Sequence, residues 1–169
     1  MLIGHLPAGY FLSRYLIKRN KLPLNKLWLG LGLLAAILPD FDIAYSILFT
    51  DSMASHRLFY TNFPLLYLTV LLIFIIIYYI RPSKNFKFGI IIVFANIFLH
   101  FILDTAFVGI KWLWPFYDRL IGVYNVNITE GIRVENYFNH WYWYLEIALW
   151  ILAIISVIIS FKKGELENK

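Results

Sequence analysis

The sequence predicts an all-α fold: a polytopic membrane helical bundle of about four spanning helices plus a shorter N-terminal helix. Three observations predict it. The 169 residues are 61% apolar and 20% aromatic but only 15% charged, with mean hydropathy +0.70, too little charge to clothe a water-soluble domain of this size. The apolar residues fall in long runs, matching the roughly 20 residues needed to cross a hydrocarbon core about 30 Å thick. Most basic residues fall in the connections between those runs. The reading is a single integral-membrane domain over residues 1–169, with 161–169 as a cytoplasmic tail. Disorder, coiled coil and solenoid are excluded. The absence of cysteine excludes disulfides, thiolate metal sites and cysteine nucleophiles, so any metal must be held by His, Asp, Glu or Asn. The net charge of +5 is read through its distribution, and no nucleic-acid partner is expected.

The first element, Leu2 to Ile17, carries His5, Pro7 and Arg14. Its basic residues follow the apolar run instead of preceding it, which is the reverse of a secretory signal, so it is read as a retained helix beginning near Pro7. The spanning segments are Leu27 to Phe49 (interrupted by Asp40 and Asp42), Phe63 to Ile80, Phe88 to Phe107 and Trp141 to Phe161. Eleven of the fifteen Lys and Arg residues fall on one side of this arrangement: Arg14, Lys18, Arg19, Lys21, Lys26, Arg81, Lys84, Lys87, Lys162, Lys163 and Lys169. The positive-inside rule makes that side cytoplasmic, with the C-terminus inside and the loops Thr50 to Asn62 and Gly109 to Asn139 outside. Trp112, Trp114, Trp141 and Trp143 gather at the outer boundary, as interfacial aromatics do.

Depth orders the intramembrane polar residues. Asp40 lies 13 residues above Leu27, His100 and Asp104 lie 12 and 16 above Phe88, Glu146 lies 15 from Phe161, and His5 lies 13 from Lys18. At about 1.5 Å per residue all five fall roughly 18 to 24 Å from the cytoplasmic edge. Ionisable groups at such depth cost about 2.5 to 3.5 kcal/mol each and must face one another, water or a metal. His100 and Asp104, in HFILD, share a helical face at i,i+4 spacing, with Asn96 continuing it. They suit one cation or an interhelical hydrogen bond. Asp40 and Asp42, in LPDFD, end an apolar helix at Pro39, either as a polar helix end or as two acids gathered on a cation. His5 is a ligand or a polar helix-start residue. His56 and Arg57 follow in the outer loop, and of His140 and Glu146, six apart, the deeper Glu146 is preferred.

GHLPAGY near the start, LPDFD, HR followed by TN, and HFILD, in that order, resemble the YdjM family of bacterial inner-membrane proteins described as metal-dependent hydrolases. The resemblance runs from His5 to about Glu146. The series Asp, His, His-x-x-x-Asp is also similar to the metal-ligand order of zinc-dependent phospholipase C and the S1/P1-type nucleases, helical enzymes that cleave phosphate esters. The resemblance implies Asp40, His56, His100 and Asp104 as ligands of a principal metal, with His5 in the same or a neighbouring site. Two departures stand out: Asn62 occupies a position where family members often have His, and Tyr142 stands four residues before Glu146 where a multi-zinc cluster needs a second His. One site, or a loose pair of metals, is expected.

The function expected is a membrane-embedded metal-dependent hydrolase acting on a phosphodiester or other ester of a lipid-like substrate near the outer face of the bacterial plasma membrane. The metal is divalent, zinc first, with manganese or iron as further candidates. Asp42 or Glu146 would accept a proton from water, and Arg57 would clamp an anionic oxygen pair. The expected partners are membrane lipids and the phosphate-ester substrate. Two other classes fit a buried polar layer: an ion, proton or small-solute transport component, and a non-catalytic membrane assembly or binding protein.

Overall fold

The computed structural model describes residues 3–41, 60–107, 109–123 and 141–165. Five α-helices account for most of them: α1 (His5–Arg19), α2 (Lys26–Ile37), α3 (Pro64–Ile80), α4 (Lys84–Phe107) and α5 (Trp141–Lys162). Two 3-10 turns, Leu38–Asp40 and Tyr60–Asn62, lie between α2 and α3. Among the described residues there is no strand, only an isolated antiparallel bridge between Ile110 and Ile121. The all-helical expectation is met.

Local chemistry sets the helix ends. In α1, Pro7 sits within the first turn, where a missing N–H costs nothing. The helix stops at Asn20, Lys21 turns into the left-handed region at φ 54°, and the Leu22 and Lys21 amides donate back to the Ile17 and Lys18 carbonyls at 3.1 and 3.0 Å. This is the paired closure that satisfies a helix's last carbonyls, and Leu22 packs into the same apolar cluster as Ile17. In α2, the Asn25 side chain caps the start by accepting the Trp28 amide at 2.9 Å. Helix α2 ends after 12 residues because Pro39 cannot donate to a further turn.

That early end corrects the span count. Among the described residues two helices, α4 and α5, are long and apolar enough to cross a bilayer, not four. Helix α3 is a shorter apolar helix, and α2 reaches only about 18 Å at the helical rise. The remainder of the expected first span, residues 42–49, lies outside the described residues.

Helix α4 is the hub, packing against α1, α2 and α3, while α1 also packs against α2 and α5. Two apolar clusters follow: Tyr10, Leu16, Ile17, Leu29, Phe88, Ile92 and Ala153 form one, and Ala35, Phe94, Ile97, Phe101 and Ile110 form the other. Helices α1 and α2 meet through small residues. A methyl group on Gly32 would stand 2.0 Å from Ser13 Oγ, and one on Gly9 2.5 Å from the Ala36 methyl, so the Gly9-x-x-x-Ser13 and Gly32-x-x-x-Ala36 spacings are what let the backbones close. Helix α5 buries only a narrow stripe, Glu146, Ala153 and Ser160, and exposes Ile151, Leu152, Ile154, Ile155, Ile158 and Ile159. Helix α3 likewise exposes most of its apolar side chains. Such faces suit hydrocarbon as solvent.

Beyond α4 the chain folds back over the helix end. The Gly109 amide donates to Asp104 O at 2.9 Å, Ile110 and Ile121 exchange backbone bonds of 3.0 and 2.8 Å, and the Val123 amide reaches Thr105 O at 3.0 Å. The Trp112 indole donates to Thr105 Oγ1 at 2.7 Å, and Trp114 stacks on Phe63 with ring centroids 4.5 Å apart.

Candidate metal centre

Two helices and one turn deliver four polar side chains to a single point. His5 comes from the first residue of α1, His100 and Asp104 from adjacent turns of α4, and Asp40 from the 3-10 turn that ends α2. His5, His100 and Asp104 are buried and Asp40 is half-buried. His5 Nε2 lies 3.0 Å from Asp104 Oδ1 and 3.9 Å from Asp40 Oδ2; His100 Nε2 lies 3.6 Å from both Asp40 Oδ1 and Asp104 Oδ2. The imidazoles stack, with centroids 3.9 Å apart and planes inclined by 21°.

The hydrogen bonding of His100 fixes what this arrangement can do. Its Nδ1–H donates to the Ala36 carbonyl at 2.8 Å, one of the last four carbonyls of α2, which have no partner within the helix. With Nδ1 protonated, Nε2 presents a lone pair, and that atom is buried without a hydrogen-bond partner. It faces two carboxylates, which are acceptors when ionised, at distances too long for a hydrogen bond. Acceptors turned toward acceptors inside a protein need a cation or a proton between them. His5 Nδ1 is a second buried nitrogen without a partner.

The spacing fits a metal. Two N or O donors bound at about 2.1 Å in tetrahedral geometry stand about 3.4 Å apart, close to the 3.0 to 3.9 Å observed. A buried His5, His100 and Asp104 group, its donor atoms all within 4.8 Å of one another, could therefore hold a metal ion. The Nδ1–H to carbonyl bond of His100 is the outer contact that metal-binding histidines use to fix tautomer and ring plane.

The remaining sequence-selected residues divide. Glu146 is fully buried, and its Oε2 accepts the Ile3 amide at 2.9 Å, while the Trp150 indole donates to Ile3 O at 2.9 Å. The carboxylate thus holds the backbone two residues before His5. Asn62 is buried beside Asp104 and lines a small cleft with Gly109, Ile110, Lys111 and Leu120. Asp42, His56, Arg57 and His140 lie outside the described residues.

Sequence reasoning missed the Ala36 carbonyl, which no side-chain pattern announces, and the Ser13 to Asn96 hydrogen bond of 3.1 Å. It also read Arg14 only as one of the basic residues of its side. The guanidinium donates to Tyr10 Oη at 2.8 Å and Ser156 Oγ at 3.1 Å, also reaches Ser160 Oγ, and pairs with Glu165 at 3.0 Å. The serines at i and i+4 on α5 were the readable signal for it.

An apolar helical protein with lipid-type faces has the character of a membrane protein, and this one carries a buried His–Asp cluster that could hold a metal ion. Over residues 1–165 the chain matches the model of the YdjM inner membrane protein family, and it belongs to that family. No curated protein and no solved structure matches it.

Proposed function

We propose that this protein is a multi-pass hydrolase of the bacterial inner membrane that cleaves a phosphodiester or other ester of a lipid-like molecule, with zinc as the favoured metal. The observation that carries the reading is the partnerless Nε2 lone pair of His100, held at 3.6 Å from two carboxylates. His5, His100, Asp40 and Asp104 would hold the ion, joined by His56 from the outer loop. A bound divalent ion supplies Lewis acidity toward water and toward a phosphoryl or carbonyl oxygen. The chain supplies the rest. The Ala36 carbonyl keeps His100 in the tautomer that offers Nε2. Glu146 fixes the Ile3 backbone and so places His5. Asp42 or Glu146 takes a proton from water, and Arg57 holds the anionic oxygens of the substrate. The multi-pass topology with the C-terminus in the cytoplasm rests on the distribution of Lys and Arg, and it puts this layer in the outer half of the membrane. The depth selects an amphiphile over a water-soluble ester.

The test is element-resolved metal content of the detergent-purified protein beside His100→Ala and Asp104→Ala. Stoichiometric zinc, manganese or iron that both variants lose while still inserting in the membrane supports the reading. Metal content unchanged in both variants, or absent from wild type reconstituted with each ion, removes it.

A second reading, an ion or proton pathway, has one observation in its favour. Polar groups continue along α1 from His5 through Ser13, bonded to Asn96, to Arg14 and its partners Ser156, Ser160 and Glu165. Proton or metal flux into proteoliposomes, abolished by Asn96→Leu, would select it over hydrolysis.

A further inference from the structure

At the end of α4 away from the His–Asp cluster, the protein carries positive charge that it does not neutralise. From Tyr60 to Leu103 the chain has three basic residues, Arg81, Lys84 and Lys87, and no Asp or Glu. All three are exposed around the turn 81–83 that joins α3 to α4. Among the described residues the ion pairs made by Lys and Arg are Arg14 with Glu165 and Lys111 with Asp118, so none of the three is balanced by such a pair. From this turn a groove of about 460 Å³ runs between the two helices, lined by Val70 and Phe74 of α3, by Phe86, Ile90 and Phe94 of α4, and by Leu38. We propose that this groove binds one acyl chain of an anionic phospholipid whose phosphate sits at Arg81 and Lys87. The inference is independent of the hydrolase reading, because its polar end lies at the opposite end of α4 from the cluster.

Three observations point to such an occupant. The first is register. Arg81 stands seven residues after the groove-lining Phe74, and Lys87 seven before the groove-lining Phe94. Seven residues are close to two helical turns, so each basic residue continues the face that walls the groove. The Arg81 amide still bonds Ile77 O at 2.9 Å, which keeps it in step with α3. Phe74 and Phe86 stack across the seam with ring centroids 6.0 Å apart, and of the lining residues these two come nearest the turn along each helix.

The second is length. From Phe86 to Ile97 the α4 wall covers 11 residues, about 16 Å of helix, which is about one leaflet of a 30 Å hydrocarbon core. Counted from the turn, the groove ends near the midplane, where the chains of a leaflet end. A lipid with its head at the turn therefore keeps the orientation of its neighbours in the bilayer. The volume of about 460 Å³ also falls in the range of about 300 to 1,000 Å³ usual for ligand sites.

The third is sign. The distribution of Lys and Arg makes this side cytoplasmic, and basic pockets between helices on that face recognise anionic lipid heads. The Arg81 fork can meet two phosphate oxygens at once, and Lys87 adds a point charge. A zwitterionic lipid would fill the groove equally well but carries no net charge to set against the rim.

The test uses the full-length protein in vesicles of phosphatidylethanolamine and phosphatidylglycerol, with a trace of one or the other lipid carrying a diazirine halfway along one chain. After illumination, labelled peptides are mapped by mass spectrometry. The phosphatidylglycerol probe should label the groove walls, residues 66–74 of α3 and 86–97 of α4, at least about fivefold more than the phosphatidylethanolamine probe, the scale of one Lys or Arg acting on an anionic head. The exposed face of α5 at Ile151, Ile155 and Ile158 should take the two probes equally.

Arg81→Gln combined with Lys87→Gln, both at exposed positions, should abolish the preference without moving the unfolding midpoint, and Arg81→Lys with Lys87→Arg should keep it. Val70→Trp should remove the excess labelling of the groove. Gly89→Leu offers a milder block, since a Cβ there meets nothing nearer than Trp28 at 3.7 Å. Equal labelling of the groove by the two probes, a preference that survives the double charge variant, or an excess that survives both blocking variants overturns the inference. Metal content is read on the same samples; its absence would end the hydrolase reading and leave this lipid site standing.

Discussion

Arg14, in the second half of α1, and the His–Asp cluster at the start of the same helix both place ionisable groups among apolar helices. Their satisfaction differs. Every partner of the Arg14 guanidinium is an acceptor: the Tyr10 and Ser156 hydroxyls, the Ser160 hydroxyl and the Glu165 carboxylate. At the other end, His100 Nε2 offers a lone pair to two carboxylates and meets no donor. A polar cluster that serves only to join helices is completed by the protein itself. One that serves a ligand is left incomplete in the direction the ligand fills. The difference teaches where to look for chemistry in a membrane protein whose acids and bases all appear costly.

The largest effect should come from stripping the metal. Saturating ion at about a thousand times its dissociation constant contributes about 4 kcal/mol to the folded state, so a chelator should lower the thermal unfolding midpoint of wild type and leave that of His100→Ala unmoved. Differential scanning measurements in detergent with and without chelator check this. An identical chelator response in both proteins would erase the contrast between the clusters.

Next comes the seam that separates them. Gly32→Ala drives a methyl group to 2.0 Å from Ser13 Oγ, and overpacking of this kind costs about 2 to 3 kcal/mol. Stability should fall, as the thermal unfolding midpoint in detergent would measure. Smaller again is Arg14→Met. It removes hydrogen bonds to a charged group that is partly solvated, so a loss of about 1.5 kcal/mol is expected, with metal content unchanged. Metal loss in this variant would mean that the two clusters are one device.

The smallest effect is the most discriminating. Asp40→Asn replaces an acceptor facing His100 Nε2 with an amide that can donate to it. The metal-free protein should gain about 1 kcal/mol while metal affinity falls. Unfolding curves of the chelated proteins measure the first change and metal titration the second. Stabilisation together with weaker binding is the signature of a site built to hold a cation.

Much of this site was legible in the sequence alone. The i,i+4 spacing of His100 and Asp104 put both on one face of α4, and counting helical rise brought His5 and Asp40 to the same depth, because those steps need only local geometry. The span count was less legible. A run of apolar residues from Leu27 onward reads as a crossing, and only the backbone at Pro39 shows that the helix stops there. The Ala36 carbonyl was invisible for a related reason: backbone acceptors carry no sequence label, and this one is available because it lies in the last turn of α2. The double use of Arg14 was hidden because a basic residue near a helix end is read first as topology.

The Ile3 amide and the Glu146 carboxylate are joined across 143 residues of chain, and Trp150 closes the same clasp on the Ile3 carbonyl. During synthesis the start of α1 enters the membrane long before α5 is made. The backbone before His5 therefore gains its last tie only when α5 inserts, after α1 has packed against α2 and α4. A chain ending before Glu146 would contain most of the cluster's side chains and still lack the clasp that fixes the backbone before His5. A metal bound at the cluster should accordingly be held more tightly once α5 is in place than in a chain cut before Glu146.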